Sequence, residues 1–99
     1  MVKPLHFHPQ AFAEGRAAWE WYAAQSKNAA NRFQDELIRA ITIIQEEPRR
    51  WPEYILGTRV YQLRRFPYLV IYRENNSSLE ILAIAHGHRK EGYWKRRLS

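Results

Sequence analysis

The chain contains no cysteine, which excludes a disulfide framework and a thiolate-bound zinc and favours a reducing compartment. It also lacks any apolar run approaching the roughly 18 residues of a membrane-crossing helix. The opening MVKPLHFHPQ has no stretch long enough for the apolar region of a signal peptide. These absences point to a cytoplasmic protein with no membrane partner. No repeat, low-complexity segment or shift in composition divides the 99 residues, 45% of them hydrophobic, so they read as one domain, 1–99, able to bury a single core unaided.

Acidic residues are scarce in the second half. Through Pro48 there are five Lys or Arg against six acids, a balance of −1; from Arg49 onward there are eleven against four, a balance of +7. This asymmetry favours an anionic partner: nucleic acid, an acidic protein or an anionic surface. The basic half ends in AHGHRKEGYWKRR, Ala85 to Arg97, where imidazoles and aromatics interleave with cations. Such a mixture suits a surface that meets a polyanion or a protein, whereas a bare charge run is usually a solvated face.

What is present orders itself along the chain. VKPLHFH reads as a short strand, with Pro4 tolerated at a sheet edge, and Pro9 suits the first position of a helix. Phe12, Arg16, Trp19, Tyr22, Ala23 and Ser26 then recur at helical spacing and predict the buried stripe, while Glu14 and Glu20 lie off it. A turn is expected around KNAAN, followed by a second stripe, Ala30, Phe33, Leu37, Ile41 and Ile44, which Pro48 stops. Two helices so joined form an antiparallel hairpin that needs a further layer. TRVYQLRR, YLVIYRE and SLEILAIAH supply it as a three-stranded antiparallel meander. The fold class is therefore α+β.

Period two assigns the faces of that meander. Tyr61, Leu63, Tyr68, Val70, Tyr72, Ile81 and Ala83 fall on one, set against the helices. Gln62, Arg64, Leu69, Ile71, Arg73, Leu82, Ile84 and His86 fall on the other, where Leu69, Ile71, Leu82 and Ile84 make an apolar strip in need of a cover. A partner segment is one such cover, and Tyr93 with Trp94 is another.

This order of elements, with GTRVYQLRRFPYLVIYR in the middle and AIAHGHRKEGYW at the end, resembles the RelE/ParE superfamily of bacterial toxins over nearly the whole chain. The resemblance implies a toxin encoded beside an antitoxin, here expected to be acidic, that wraps and neutralises it in a hetero-oligomer. Members divide into ribosome-dependent mRNA endonucleases and poisons of DNA gyrase. The nucleases carry basic residues on the open face of the first meander strand, where this chain has Gln62 and Arg64. On the next strand they carry an arginine that contacts the scissile phosphate, where this chain has Leu69. Arg89 and Tyr93 resemble their terminal arginine and aromatic, and His86 or His88 stands where some use a catalytic histidine.

As an enzyme the chain would be a metal-independent mRNA endoribonuclease using His86, His88, Arg89, Tyr93 and Arg64, with imidazole taking the 2′-hydroxyl proton and arginine stabilising the phosphorane. Losing cations from such a site weakens it. The departures at Gln62 and Leu69 therefore favour gyrase inhibition without chemistry, with mRNA cleavage as the alternative and a non-toxic nucleic-acid-binding module as the third reading. The surface expected to meet target or antitoxin comprises Arg49, Arg50 and Trp51 in the central loop, Arg59, Gln62, Arg64, Leu69, Ile71 and Arg73 on the meander, and Arg89, Lys90, Trp94, Lys95, Arg96 and Arg97 in the tail. Trp51 has a second use, folding over the base of the helices. If the first and last strands were neighbours, His6-x-His8 and His86-x-His88 could converge on a metal, but the sequence places no carboxylate nearby except Glu91 and two such pairs carry no family signature, so neither a metal nor a cofactor is expected.

Overall fold

The computed structural model describes residues 3–98. Strand β1 (Leu5–Phe7) leads into helices α1 (Pro9–Gln25) and α2 (Lys27–Glu46), and these into strands β2 (Arg59–Gln62), β3 (Tyr68–Glu74) and β4 (Leu79–His86). The sheet order is β1-β4-β3-β2. The meander is antiparallel, and β1 joins its far edge parallel to β4. Helices on one face of a mostly antiparallel sheet make the α+β architecture that the sequence predicts, with a mixed rather than purely antiparallel sheet.

Local chemistry accounts for the element ends. His8 caps α1, its Nδ1 accepting from the Gln10 N–H at 3.1 Å, and Pro9 occupies the first turn, where its missing N–H costs nothing. The hairpin turns on one residue, Ser26, which ends α1 and caps α2 through a hydrogen bond from the Ala29 N–H. KNAAN therefore lies inside α2, not in the turn. Helix α2 ends at Glu46, ahead of Pro48.

The second stripe sits as expected, with Ala30, Phe33 and Ile44 buried, and with Leu37 and Ile41 half-buried. The first does not. Phe12 is 63% exposed and Trp19 39%, whereas Ala11 and Ala18 are buried. The seam of α1 runs through Ala11, Gly15, Ala18 and Tyr22, because small residues let the helix lie close on β4: a methyl added at Gly15 would stand 3.8 Å from Ile84.

The meander is also rephased at one point. Ile71 pairs with Ala83 but Tyr72 with Ile81, leaving Leu82 as the extra residue of a bulge. Two successive residues, Leu82 and Ala83, then share the face away from the helices, and the alternation beyond them inverts. Ile84 joins the helix-side core with Val70, Tyr72 and Ile81. Ala83 and Ile84 have thus exchanged their expected faces, and His86 stands opposite Tyr68 instead of on the open face.

Candidate functional site

The face away from the helices is roofed by its own chain. Trp94 is 2% exposed and forms a second core with Ile71, Leu82 and Ala83, with Leu69, Val60 and Tyr54 packed against it. The apolar strip expected to await a partner is therefore covered. Of its four expected members Ile84 is on the other side and the rest lie in this cluster. Tyr93 straddles the β4 edge, its hydroxyl donating to Glu14 Oε2 at 2.6 Å. Arg97 grips the same carboxylate with both terminal nitrogens at 2.8 Å.

Burial works against the Glu14 charge, but the hydrogen bonds from Arg97, Tyr93 and the Ile84 N–H, with the Arg97 charge, outweigh it and hold this carboxyl below its usual range. Burial, and then the hydrogen bond to Glu14, push the Tyr93 phenol up. The sequence put Glu14 off the buried stripe, and nothing local to it signals partners 79 and 83 positions away.

Of the residues expected to cleave RNA, some meet and one does not. His86 and His88 stack at 5.1 Å, with the His88 N–H donating to His86 Nδ1 at 3.1 Å. The Arg89 guanidinium lies 3.8 Å over the Tyr93 ring. Arg64 stands past the end of β2, lining a separate depression with Arg32, Glu36 and Arg39. Glu36 accepts hydrogen bonds from the backbone N–H groups of Arg64 and Arg65. Gln62 pairs in register with Leu69, whose side chain packs towards the Trp94 core. Around those positions a shallow depression is lined by Gln62 and Leu69 with the cations Arg50 and Arg64, and Arg50 is paired with Glu47.

The basic half is partly neutralised by the chain itself. Arg49 pairs with Glu74, Arg50 with Glu47, Arg59 with Glu53, Arg73 with Glu80 and Arg97 with Glu14. Arg73 also donates to the Leu98 carbonyl, and Arg59 to that of Trp51. Arg64, Arg65, Arg89, Lys90, Lys95 and Arg96 are exposed. Trp51 packs against the main core, edge-on to Tyr61 at 4.6 Å and under the Arg50 guanidinium. Its buried Nε1 has no hydrogen-bond partner among the described residues.

The first and last strands are neighbours, yet the histidine pairs do not converge. His6 lies opposite Glu80, six residues before His86 on β4, or about 20 Å along an extended chain. His8 is occupied as a helix cap. No helix of the described residues is long and apolar enough to cross a membrane.

A family model, the ParE toxin of the type II toxin–antitoxin system parDE, matches residues 5–91. A search of curated proteins gives no match. Among solved structures, a chain of the chromosomal ParDE toxin–antitoxin system from P. aeruginosa shares the fold, with a TM-score of 0.74 at 20% identity over 86% of this chain and 96% of that one. With the family model spanning nearly every element from β1 to the turn after β4, the chain belongs to the ParE toxin family within the RelE/ParE superfamily of type II toxin–antitoxin toxins.

Proposed function

We propose that this toxin acts on DNA gyrase by binding, without cleaving RNA, and that an acidic antitoxin neutralises it in a cytoplasmic complex. The observation that carries the reading is the packed open face. Where a nuclease of the superfamily would gather cations around a scissile phosphate, this chain has Ile71 and Leu82 buried under Trp94, with a neutral, half-buried Leu69 beside them. A site that must stabilise a pentavalent phosphate needs preorganised donors aimed at it, and Arg64 stands in a different depression from the His86–Arg89 group. The cations left exposed, Arg64 and Arg65 at the meander turn and Arg89, Lys90 and Lys95 in the tail, suit an anionic partner.

The test is direct. Purified protein is added to gyrase with relaxed plasmid, and separately to translating ribosomes with mRNA. Loss of supercoiling or trapped DNA breaks, with mRNA intact, is expected, and co-purified antitoxin should abolish the effect. Codon-dependent cutting that disappears in His86→Ala would replace this reading with the nuclease one.

A further inference from the structure

A cleft of about 480 Å³ opens on the helix side of the sheet, between the second half of α1 and the ends of β3 and β4. Its size falls within the roughly 300–1,000 Å³ of small-ligand sites. Ala17 and Ala18 of α1 and Ile84 of β4 line it, and three of its other lining residues carry aromatic rings: Trp21, Tyr22 and Tyr68. Trp21 is 59% exposed, an expensive place for an indole. Edge-to-face contact with Tyr22 at 5.0 Å holds the ring in position.

The polar groups at this cleft have capacity to spare. Neither the Tyr22 nor the Tyr68 hydroxyl makes a hydrogen bond among the described residues. Burial raises both phenols, so they stay neutral donors at physiological pH. His86 uses Nδ1 to accept from the His88 N–H, which leaves the proton of the neutral ring on Nε2 as a donor. The ring stands edge-on to Tyr68 at 5.1 Å. Arg89 has no carboxylate partner among the described residues, unlike Arg49, Arg59, Arg73 and Arg97. Its guanidinium lies over the Tyr93 ring, at the mouth of the cleft. The one acid there, Glu14, is neutralised by Arg97.

Aromatic faces beside cations with free donors recognise a planar, anionic ligand. We propose that this cleft takes an unstacked base of single-stranded nucleic acid, with the adjoining phosphates on Arg89 and Lys90. Single strands are specified because a base within a duplex keeps its faces against its neighbours and cannot enter. An acidic peptide would use the same cations but has no need of the indole.

The inference does not depend on gyrase as the target. Gyrase inhibition without strand binding would leave that reading intact and overturn this one.

Anisotropy titrations of the full chain with labelled oligo(dT), oligo(rU) and a hairpin duplex of equal charge test it, with polyglutamate as competitor. Single strands should bind in preference to the duplex. Trp21→Ala should weaken them about 5- to 100-fold, as expected for one stacked base. Arg89→Ala should weaken them and flatten the salt dependence, while Arg16→Ala on the outer face of α1 should change nothing. Stronger binding of oligo(rU) than of oligo(dT), or the reverse, assigns the strand as RNA or DNA. Unaltered melting temperatures for both variants separate binding loss from unfolding. Equal binding of duplex, full affinity in Trp21→Ala, or polyglutamate displacing the strand at equal concentration of charge would overturn the proposal.

Discussion

Glu14 and Arg97 form a two-point ion pair between the first helix and the last turn of the chain, with both contacts at 2.8 Å. The same two side chains also finish the sheet. Beyond Ile81 the short β1 no longer covers the β4 edge; there the Ile84 N–H donates to Glu14 Oε1 at 3.0 Å and the Leu82 carbonyl accepts from Arg97 at 2.9 Å. An uncovered edge is a template for aggregation. A carboxylate and a guanidinium here stand in for a strand, and they anchor the tail that carries Trp94.

Removing one partner of a buried pair strands the other, so Glu14→Gln is expected to cost about 3 kcal/mol, or more than about 10 °C in melting temperature for a domain of this size. The pH dependence follows from the lowered Glu14 pKa. A carboxyl whose folded value lies below its unfolded one stabilises fully above the unfolded value, and loses that contribution as pH falls through the folded one. Melting temperatures of wild type should therefore drop from pH 5 downward more steeply than those of Glu14→Gln. Parallel curves would mean that Glu14 carries no linked charge.

Trp94→Ala is expected to cost about 3–5 kcal/mol, the usual penalty for emptying a buried aromatic site. Stopping the chain after Gly92 removes Tyr93, Trp94 and Arg97 together, and should abolish cooperative unfolding. Lys90→Ala, at an exposed cation, should shift stability by less than about 0.5 kcal/mol. Growth inhibition measured beside the melting curves would then show toxicity lost by truncation as loss of fold. A truncated chain that melts normally would return the tail to the role of a detachable arm.

Much of the fold is legible in the sequence. β-branched and aromatic runs mark β3 and β4 to within a residue, and Phe33 and Ile44 fix the buried side of α2 because only one apolar stripe is present there. Helix α1 offers two stripes. The larger, built on Phe12 and Trp19, loses to the alanine seam because contact with β4 selects for close approach over side-chain volume. The bulge at Leu82 is equally hidden: LEILAIAH is apolar at nearly every position, so period two has nothing to register against. The grip of Arg97 on Glu14 depends on a tertiary path that no local pattern encodes, and the Trp21 cleft depends on where α1 lies over β4.

The phase of α1 yields a paired test. Trp19→Gln and Phe12→Ser, on the outer face, should each change stability by less than about 0.5 kcal/mol. Ala18→Leu, on the seam, should overpack the contact with the sheet and cost about 1–3 kcal/mol. Denaturant midpoints for the three variants at constant m-value decide it, and the reverse order would restore the stripe read from spacing.

Leu56 has φ 57° and ψ 41°, the left-handed region that β-carbon sterics penalise, in the turn before β2. Its side chain is 66% exposed and contributes nothing to either core. The conformation persists because the turn around it is tied down: the Thr58 N–H and hydroxyl both donate to the Ile55 carbonyl, and the Tyr54 N–H donates to that of Thr58. Replacing Leu56 with asparagine, which tolerates this region, should relieve about 1 kcal/mol of strain and raise the melting temperature by roughly 4–8 °C. Leu56→Val, branched at the β-carbon, should lower it. If both variants melted with wild type, the turn would be free to leave the left-handed region, and the hydrogen bonds through Thr58 would not be what holds it there.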